Sequence, residues 1–193
     1  MTELNLTRAA LLMIDVQREY FADESPLRIP DGPMVLARLR SLVEDCREAH
    51  VPIIHIRHEE APGAPVFAAD GPLVETMPAV APRGLEPVVV KHAPGSFTDT
   101  ELSAVLTQFE VRRVVIAGFM THMCCDSTAR QAVERGLDVI FLTDGTATRD
   151  LTLRDRKVLA HDVQAATLAA QADGFSTLAD VAGVRNLLVA AAW

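Results

Sequence analysis

The chain has 193 residues, enough for one α/β domain with a full core and short for two. Hydrophobic residues make up 49% and charged residues 23% of it, and the net charge is −8 with the lysines and arginines scattered, which argues against a basic stripe for nucleic acid or an anionic membrane. No apolar run approaches the ~20 residues of a bilayer span, and three cysteines do not make a disulfide framework.

The first element is AALLMI (9–14), a continuous apolar run ending at Asp15 that predicts a strand covered on both faces. Leu36, Leu39, Val43, Cys46 and Ala49 then recur at helical spacing over 33–49, with arginines and glutamates between them. PIIHIR (52–57) predicts a second strand. Residues 58–86 carry five prolines and three glycines, so regular structure is not expected there, and an irregular segment that long is usually functional or a lid. PVVVK (87–91) resumes the strand pattern, HAPGSFTDT breaks it, and Leu102, Val105, Leu106 and Phe109 mark another helix. RRVVIAGF (112–119) predicts a strand, the segment from about 122 to 135 a helix closed by Gly136, and LDVIFLTD (137–144) the next strand. Thr152 and Asp155 have the spacing of a capping box for a helix running to about 172. FSTLADV (175–181) ends the series as a short strand and turn, and the tail LLVAAAW reads as a docked end or subunit contact. Six strands alternating with helices predict an α/β fold: a three-layer, doubly wound sheet of six mainly parallel strands in one domain spanning 1–193.

Ligands of such sheets bind beyond the carboxyl ends of the strands. Three reactive side chains fall at that edge: Asp15 after the first strand, Lys91 at the end of the third and Cys124 just after the fourth. Singly, each has an ordinary reading, as turn residue, solvated charge or small buried hydrophobe. Together, at equivalent ends of three strands, they suggest chemistry. A cysteine in the first turn of a helix meets unpaired N–H groups and the positive end of the helix dipole. With a cation nearby, such placement can lower a thiol from about 8.5 to between roughly 3.5 and 7.5. Those N–H groups can also hold a developing oxyanion, and Thr121 is placed to cap the helix. A carboxylate such as Asp15 can take the thiol proton and return it to a leaving group, while Lys91 keeps that carboxylate ionised. A Cys–Asp–Lys hydrolase follows.

These segments resemble the isochorismatase-like cysteine hydrolase superfamily, which includes nicotinamidases, N-carbamoylsarcosine amidohydrolase and isochorismatases. LLMIDVQREYF resembles the family's first strand with its D-x-Q and following aromatics. VVVKHAPGSFTDTEL resembles the lysine strand, VVIAGFMTHMCCDSTARQA the G-x-x-T-x-x-C segment and its helix, and DGTATRD the D-x-x-A-(S/T) turn. The ordered set covers nearly the whole chain. The resemblance implies Cys124 as nucleophile, Asp15 as general acid/base and Lys91 as charge partner. It also implies a cis Phe119–Met120 bond, an oxyanion hole made by the backbone N–H groups of Met120 and Cys124, and a sheet order of 3-2-1-4-5-6.

Cys125 departs from the family pattern, where a small apolar residue is common. At helical spacing it points about 100° away from Cys124, so it is expected to pack rather than react. His55, His58 and Glu59 raise a metal site, but the D-x-H pattern of the nicotinamidases is missing, so no metal and no cofactor is expected, and nicotinamide is disfavoured as substrate. Phe21, Phe119, Thr121 and His122 are the candidate substrate-binding residues; His161 and Trp193 receive no role. The expectation is a cytoplasmic hydrolase cleaving a C–N bond of a small amide or ureide through a thioester, acting on a small molecule and assembling as a homodimer or homotetramer, with no nucleic-acid or membrane partner. Two alternatives stand beside it. One is a vinyl-ether hydrolase of the isochorismatase type that uses Asp15 as acid without a covalent step, and the other is a non-hydrolytic thiol or ligand-binding relative.

Overall fold

A computed structural model describes residues 4–191. In chain order the elements are β1 (Ala9–Ile14), α1 (Gly32–Glu48), β2 (Ile53–His58), β3 (Val88–Lys91), α2 (Leu102–Gln108), β4 (Arg113–Phe119), a π turn (Thr121–Cys125) running into α3 (Asp126–Glu134), β5 (Asp138–Ala147), β6 (Leu151–Leu153), β7 (Arg156–Val158), α4 (Ala160–Gly174), β8 (Thr177–Ala179) and α5 (Val181–Ala191). Six strands form one sheet in the order β3-β2-β1-β4-β5-β8, and each neighbouring pair is parallel. This is the 3-2-1-4-5-6 order with β8 as the sixth strand, because the β6–β7 hairpin intervenes.

The apolar run of β1 works as expected of a central strand. Leu11 and Met13 face one core with Leu39 of α1 and Val184 and Leu188 of α5; Ala10, Leu12 and Ile14 face the other with Leu106 of α2 and Ala129 and Ala132 of α3. All six β1 residues are buried. With both faces covered, the open places are the strand ends. β1 and β4 lie side by side there, with Ile14 opposite Gly118. Gly118 has φ +120°, and a Cβ on it would sit 2.0 Å from the Ile14 carbonyl oxygen, so only glycine fits where the two strands leave the sheet.

Two expectations need correction. The proposed capping box at Thr152 and Asp155 does not form: 151–158 is a β-hairpin turning at Arg154 (φ +57°), and α4 begins at Ala160. Asp150 caps it instead, its carboxylate accepting the Ala160 N–H at 2.8 Å. The short strand expected within 175–181 is β8, and the tail after it forms α5, which starts at Val181 and packs Val184 and Leu188 into the core, four residues apart on one face. The helix expected from about 122 opens as a π turn, and the Thr121 hydroxyl makes no cap bond. Trp193 lies outside the described residues.

The proline-rich stretch 58–86 is irregular apart from short 3-10 turns at Pro72–Val74 and Pro78–Val80. Two buried side chains from the segment after β1 tie it down. Gln17 donates to the His58 and Val74 carbonyls (2.8 and 2.7 Å) and accepts the His58 N–H (2.8 Å). Glu19 accepts the Phe67 N–H at 3.0 Å and the Ser25 hydroxyl at 2.5 Å.

Candidate active site

Asp15, Lys91 and Cys124 come together where β1, β3 and β4 end. Asp15 leaves β1 in the left-handed region (φ +50°), a conformation aspartate tolerates better than most residues. Lys91 is the last residue of β3, an edge strand two strands away from β1, and its side chain crosses over β2 to reach the group. Cys124 sits on the π turn, which the Met120 carbonyl closes by accepting the N–H groups of Met123 (3.1 Å) and Cys125 (3.2 Å). The Phe119–Met120 peptide bond at the turn's entrance is cis. Beyond β3, Ser96 bonds through its N–H and hydroxyl to the Thr128 hydroxyl of α3 at 3.0 and 2.8 Å, tying the lysine strand's exit to the cysteine's helix.

The Lys91 ammonium is the hub. Its Nζ stands 2.8 Å from Asp15 Oδ2, 3.0 Å from His58 Nδ1, 3.1 Å from the Ala93 carbonyl oxygen and 3.3 Å from Cys124 Sγ. Asp15 and Lys91 are fully buried and Cys124 is 4% exposed. Among the described residues, no nitrogen or oxygen besides the Lys91 ammonium serves the Asp15 carboxylate, although the Cys124 thiol lies beside it.

The electrostatics reverse one expectation. The Cys124 thiol is not lowered toward neutrality: burial pushes it up, the Asp15 charge adds to that, and the Lys91 ammonium only partly offsets both. A helix-start position and a cation lower a thiol only where solvent or further positive charge supports the anion, and here a buried carboxylate stands alongside. For Lys91, burial disfavours the charge, but the attraction and hydrogen bond of Asp15, with the contact to Cys124, outweigh it and the ammonium is held above its ordinary range. The resting group is therefore a carboxylate, an ammonium and a neutral thiol, with the carboxylate beside the thiol.

Around this group runs a line of rings. Phe21 meets Phe119 edge-on at 5.5 Å between centroids, Phe119 meets Tyr20 at 5.6 Å, Tyr20 meets Phe67 at 5.4 Å, and Phe67 meets the His58 ring at 5.0 Å. Phe119 is fully buried and Phe21 partly so. The Thr121 hydroxyl is buried with no partner. His122 is half-buried and tied to the Thr148 hydroxyl at 2.7 Å, and burial followed by the Arg149 charge lowers its pKa. Thr148 also borders a cavity of about 230 Å³ between α1, the end of β5 and the start of α4, which His161 and Gln164 help line.

Cys125 is fully buried in the core beside α3, and all three cysteines are free thiols. His55, His58 and Glu59 do not form a metal site. His55 Nε2 bonds to Glu86 (2.9 Å), Glu59 pairs with Arg57 (2.5 Å), and the two His58 nitrogens face Lys91 and Glu60. No three metal-ligating side chains gather among the described residues. The sequence reading weighed His58 only as a ligand and passed over its contact with Lys91. The available signal was its place as a polar residue at the carboxyl end of the second strand; its pairing with Lys91 comes from the β2–β3 register of the fold.

Comparison with known proteins agrees with this picture. The Isochorismatase domain matches residues 9–175. A secreted isochorismatase effector of Verticillium dahliae is 38% identical over 88% of this chain and 86% of its own length. Nicotinamidase 3 of Arabidopsis thaliana is 29% identical over 94% of this chain and 89% of its own. Among solved structures, a cysteine hydrolase from Pseudomonas syringae pv. phaseolicola superposes with a TM-score of 0.92 at 25% identity, covering 99% of this chain and all of that one. By sheet order, strand-end chemistry and sequence, the chain belongs to the isochorismatase family of hydrolases.

Proposed function

We propose that this protein hydrolyses a C–N bond of a small amide or ureide through a thioester on Cys124. The observation that carries the reading is the fully buried Lys91 ammonium lying within 2.8 Å of a carboxylate and 3.3 Å of a thiol sulfur. Asp15 takes the thiol proton as Sγ bonds to the substrate carbonyl carbon. The oxyanion that forms lies against the N–H groups of Met120 and Cys124. Asp15 then gives its proton to the departing nitrogen as the C–N bond breaks, leaving an acyl thioester and a free amine or ammonia. Water loses a proton to Asp15 and attacks the thioester; the tetrahedral intermediate expels Sγ, which recovers the proton from Asp15. Lys91 stays protonated throughout and offsets whichever partner holds the negative charge.

Phe21 and Phe119 supply an apolar wall and Thr121 an unused hydroxyl for the substrate, with His122 on the side toward Thr148. No metal takes part in these steps. The chain is expected to work as a homodimer or homotetramer; exposed Leu153 and Val189 offer apolar surface for such contacts, and sedimentation velocity tests this. No described helix is long and apolar enough to cross a membrane. A working free thiol suits the reducing cytoplasm.

A second reading has its own support: the Cys124 thiol is held neutral and Asp15 lacks other donors, which suits a carboxylic acid that protonates an enol ether without a covalent step. A screen of ammonia release from small amides and ureides, run with Cys124→Ala, separates the two. Turnover that vanishes in Cys124→Ala, with an acyl mass trapped on Cys124, supports the amidase. Vinyl-ether cleavage that survives the substitution overturns it, and no turnover on either class with intact ligand binding leaves the non-hydrolytic reading.

A further inference from the structure

An ammonium has three N–H bonds, yet Lys91 Nζ faces four acceptors. They divide into two kinds. Asp15 and Cys124 change charge as a proton passes between them, whereas the Ala93 carbonyl and the His58 imidazole take no part in bond making. Because Lys91 is held protonated, His58 Nδ1 at 3.0 Å must accept rather than donate; a protonated ring would set N–H against N–H. The neutral ring then carries its hydrogen on Nε2, and Glu60 Oε1 receives it at 2.8 Å. The imidazole is fixed from other directions too. Gln17 holds both backbone polar groups of His58, and the ring packs edge-on against Phe67.

We propose that His58 is a positioning residue for Lys91: with Glu60 selecting its Nε2–H tautomer, it and the Ala93 carbonyl fix two of the three ammonium hydrogens. The third is left to follow the negative charge between Asp15 and Cys124. This rests on the cysteine-hydrolase reading and adds to it the question of what holds the lysine still while its charged partners exchange a proton. Without the Nδ1 acceptor, the ammonium gains a free hydrogen, turns toward Asp15 and ceases to stabilise sulfur.

Isosteric substitutions separate the two ring nitrogens. The Oδ1 of asparagine falls near Nδ1, and the side-chain amide nitrogen of glutamine near Nε2. His58→Asn therefore keeps an acceptor for Lys91, while His58→Gln keeps only the donor to Glu60. With the full-length protein, the expected order is His58→Asn within about tenfold of wild type in kcat, and His58→Gln and His58→Ala down about 100-fold at little-changed KM, a range ordinary for lost positioning. Glu60→Gln, which still accepts the Nε2–H, falls less than Glu60→Leu. The same order should appear in the rate of iodoacetamide alkylation of Cys124, read by peptide mass spectrometry with Cys124→Ala as blank. That readout needs no substrate, so it tests His58 even if the amide screen fails. Equal losses in His58→Asn and His58→Gln, tracking a common drop in melting temperature, would assign His58 a purely structural role and overturn the proposal. So would wild-type alkylation and kcat in His58→Ala.

Discussion

Two charged clusters, the first partly buried and the second fully so, bracket the four residues of β3, and they are built differently. At its start, Glu86 is saturated: Arg47 Nε donates to Oε1 at 2.7 Å, and Oε2 accepts Arg47 Nη2, the Arg83 N–H and His55 Nε2, each at 2.9 Å. At its end, Asp15 has only the Lys91 ammonium and the Cys124 thiol beside it among the described residues. Burying a carboxylate is costly unless its oxygens are bonded. The first cluster meets that cost with donors and has no capacity left for anything else. The second leaves lone pairs open beside a neutral thiol, which is what a proton acceptor requires. Among buried ions, a full set of partners marks a structural role and an incomplete set marks a chemical one.

The strongest way to break that contrast is at the incomplete cluster. Asp15→Asn removes the proposed proton acceptor, and turnover should fall about 10³-fold or more, within the range for general acid–base groups. Since the Asp15 charge helps hold the Cys124 thiol up, the same substitution should lower the thiol's pKa and speed its alkylation at fixed pH. A variant that is both inactive and slower to alkylate would show that Asp15 does not act on sulfur. Lys91→Met should move the thiol the other way and leave a buried carboxylate unpaired, at a cost of about 3–5 kcal/mol, measurable by urea unfolding. Unchanged stability would mean that the carboxylate takes up a proton in the folded variant.

The saturated cluster should respond through stability rather than turnover. Burial alone would raise Glu86, but Arg47, the Arg83 N–H and His55 outweigh it and bring its pKa down to about 2 from 4.5. A carboxyl depressed in the folded state stabilises above its unfolded pKa and loses that contribution as pH falls through the folded one. The Glu86 contribution should be complete above about pH 5 and drain away between 4.5 and 2. His55, lowered chiefly by burial, loses stability in the same acid direction. Glu86→Gln should cost about 2 kcal/mol at pH 7, with the gap from wild type closing toward pH 2 and kcat unaltered. A gap independent of pH would mean that Glu86 acts by packing alone.

How much of this the sequence revealed depended on whether the signal was local. The run AALLMI, the helical spacing of Leu36, Leu39 and Val43, and the strand ends at Asp15 and Lys91 are local patterns, and the meeting of Asp15, Lys91 and Cys124 agrees with them, whereas the sheet order was implied only by the family resemblance. The hairpin at 151–158 was misread because Asp150 caps α4 from ten residues away, a contact no spacing rule contains. The direction of the Cys124 shift was also illegible. Helix start and nearby cation can be read from sequence, as can the Asp15 carboxylate, but the near-complete burial that chiefly raises the thiol exists only in the fold. His58 was visible as a residue and invisible as a partner of Lys91, because the link runs through β2–β3 register.

The smallest expected effect concerns the two adjacent cysteines. Cys125 follows Cys124 directly, yet it is fully buried against α3 with Ala129 and Ala132 in the same core. Burial pushes its thiol up first, and the neighbouring Cys124 and Asp15 push it further, so it offers no thiolate and no route for a proton. Cys125→Ala removes one sulfur from a packed site and should cost about 1 kcal/mol, toward the low end for core truncations. It should leave kcat and the alkylation rate of Cys124 within about twofold, because neither Lys91 nor Asp15 bonds to it. A much larger loss of turnover at similar stability would make Cys125 a support for the π turn on which Cys124 rides. Incomplete hydrogen bonding around Asp15 would then not be the only requirement for chemistry at this end of the sheet.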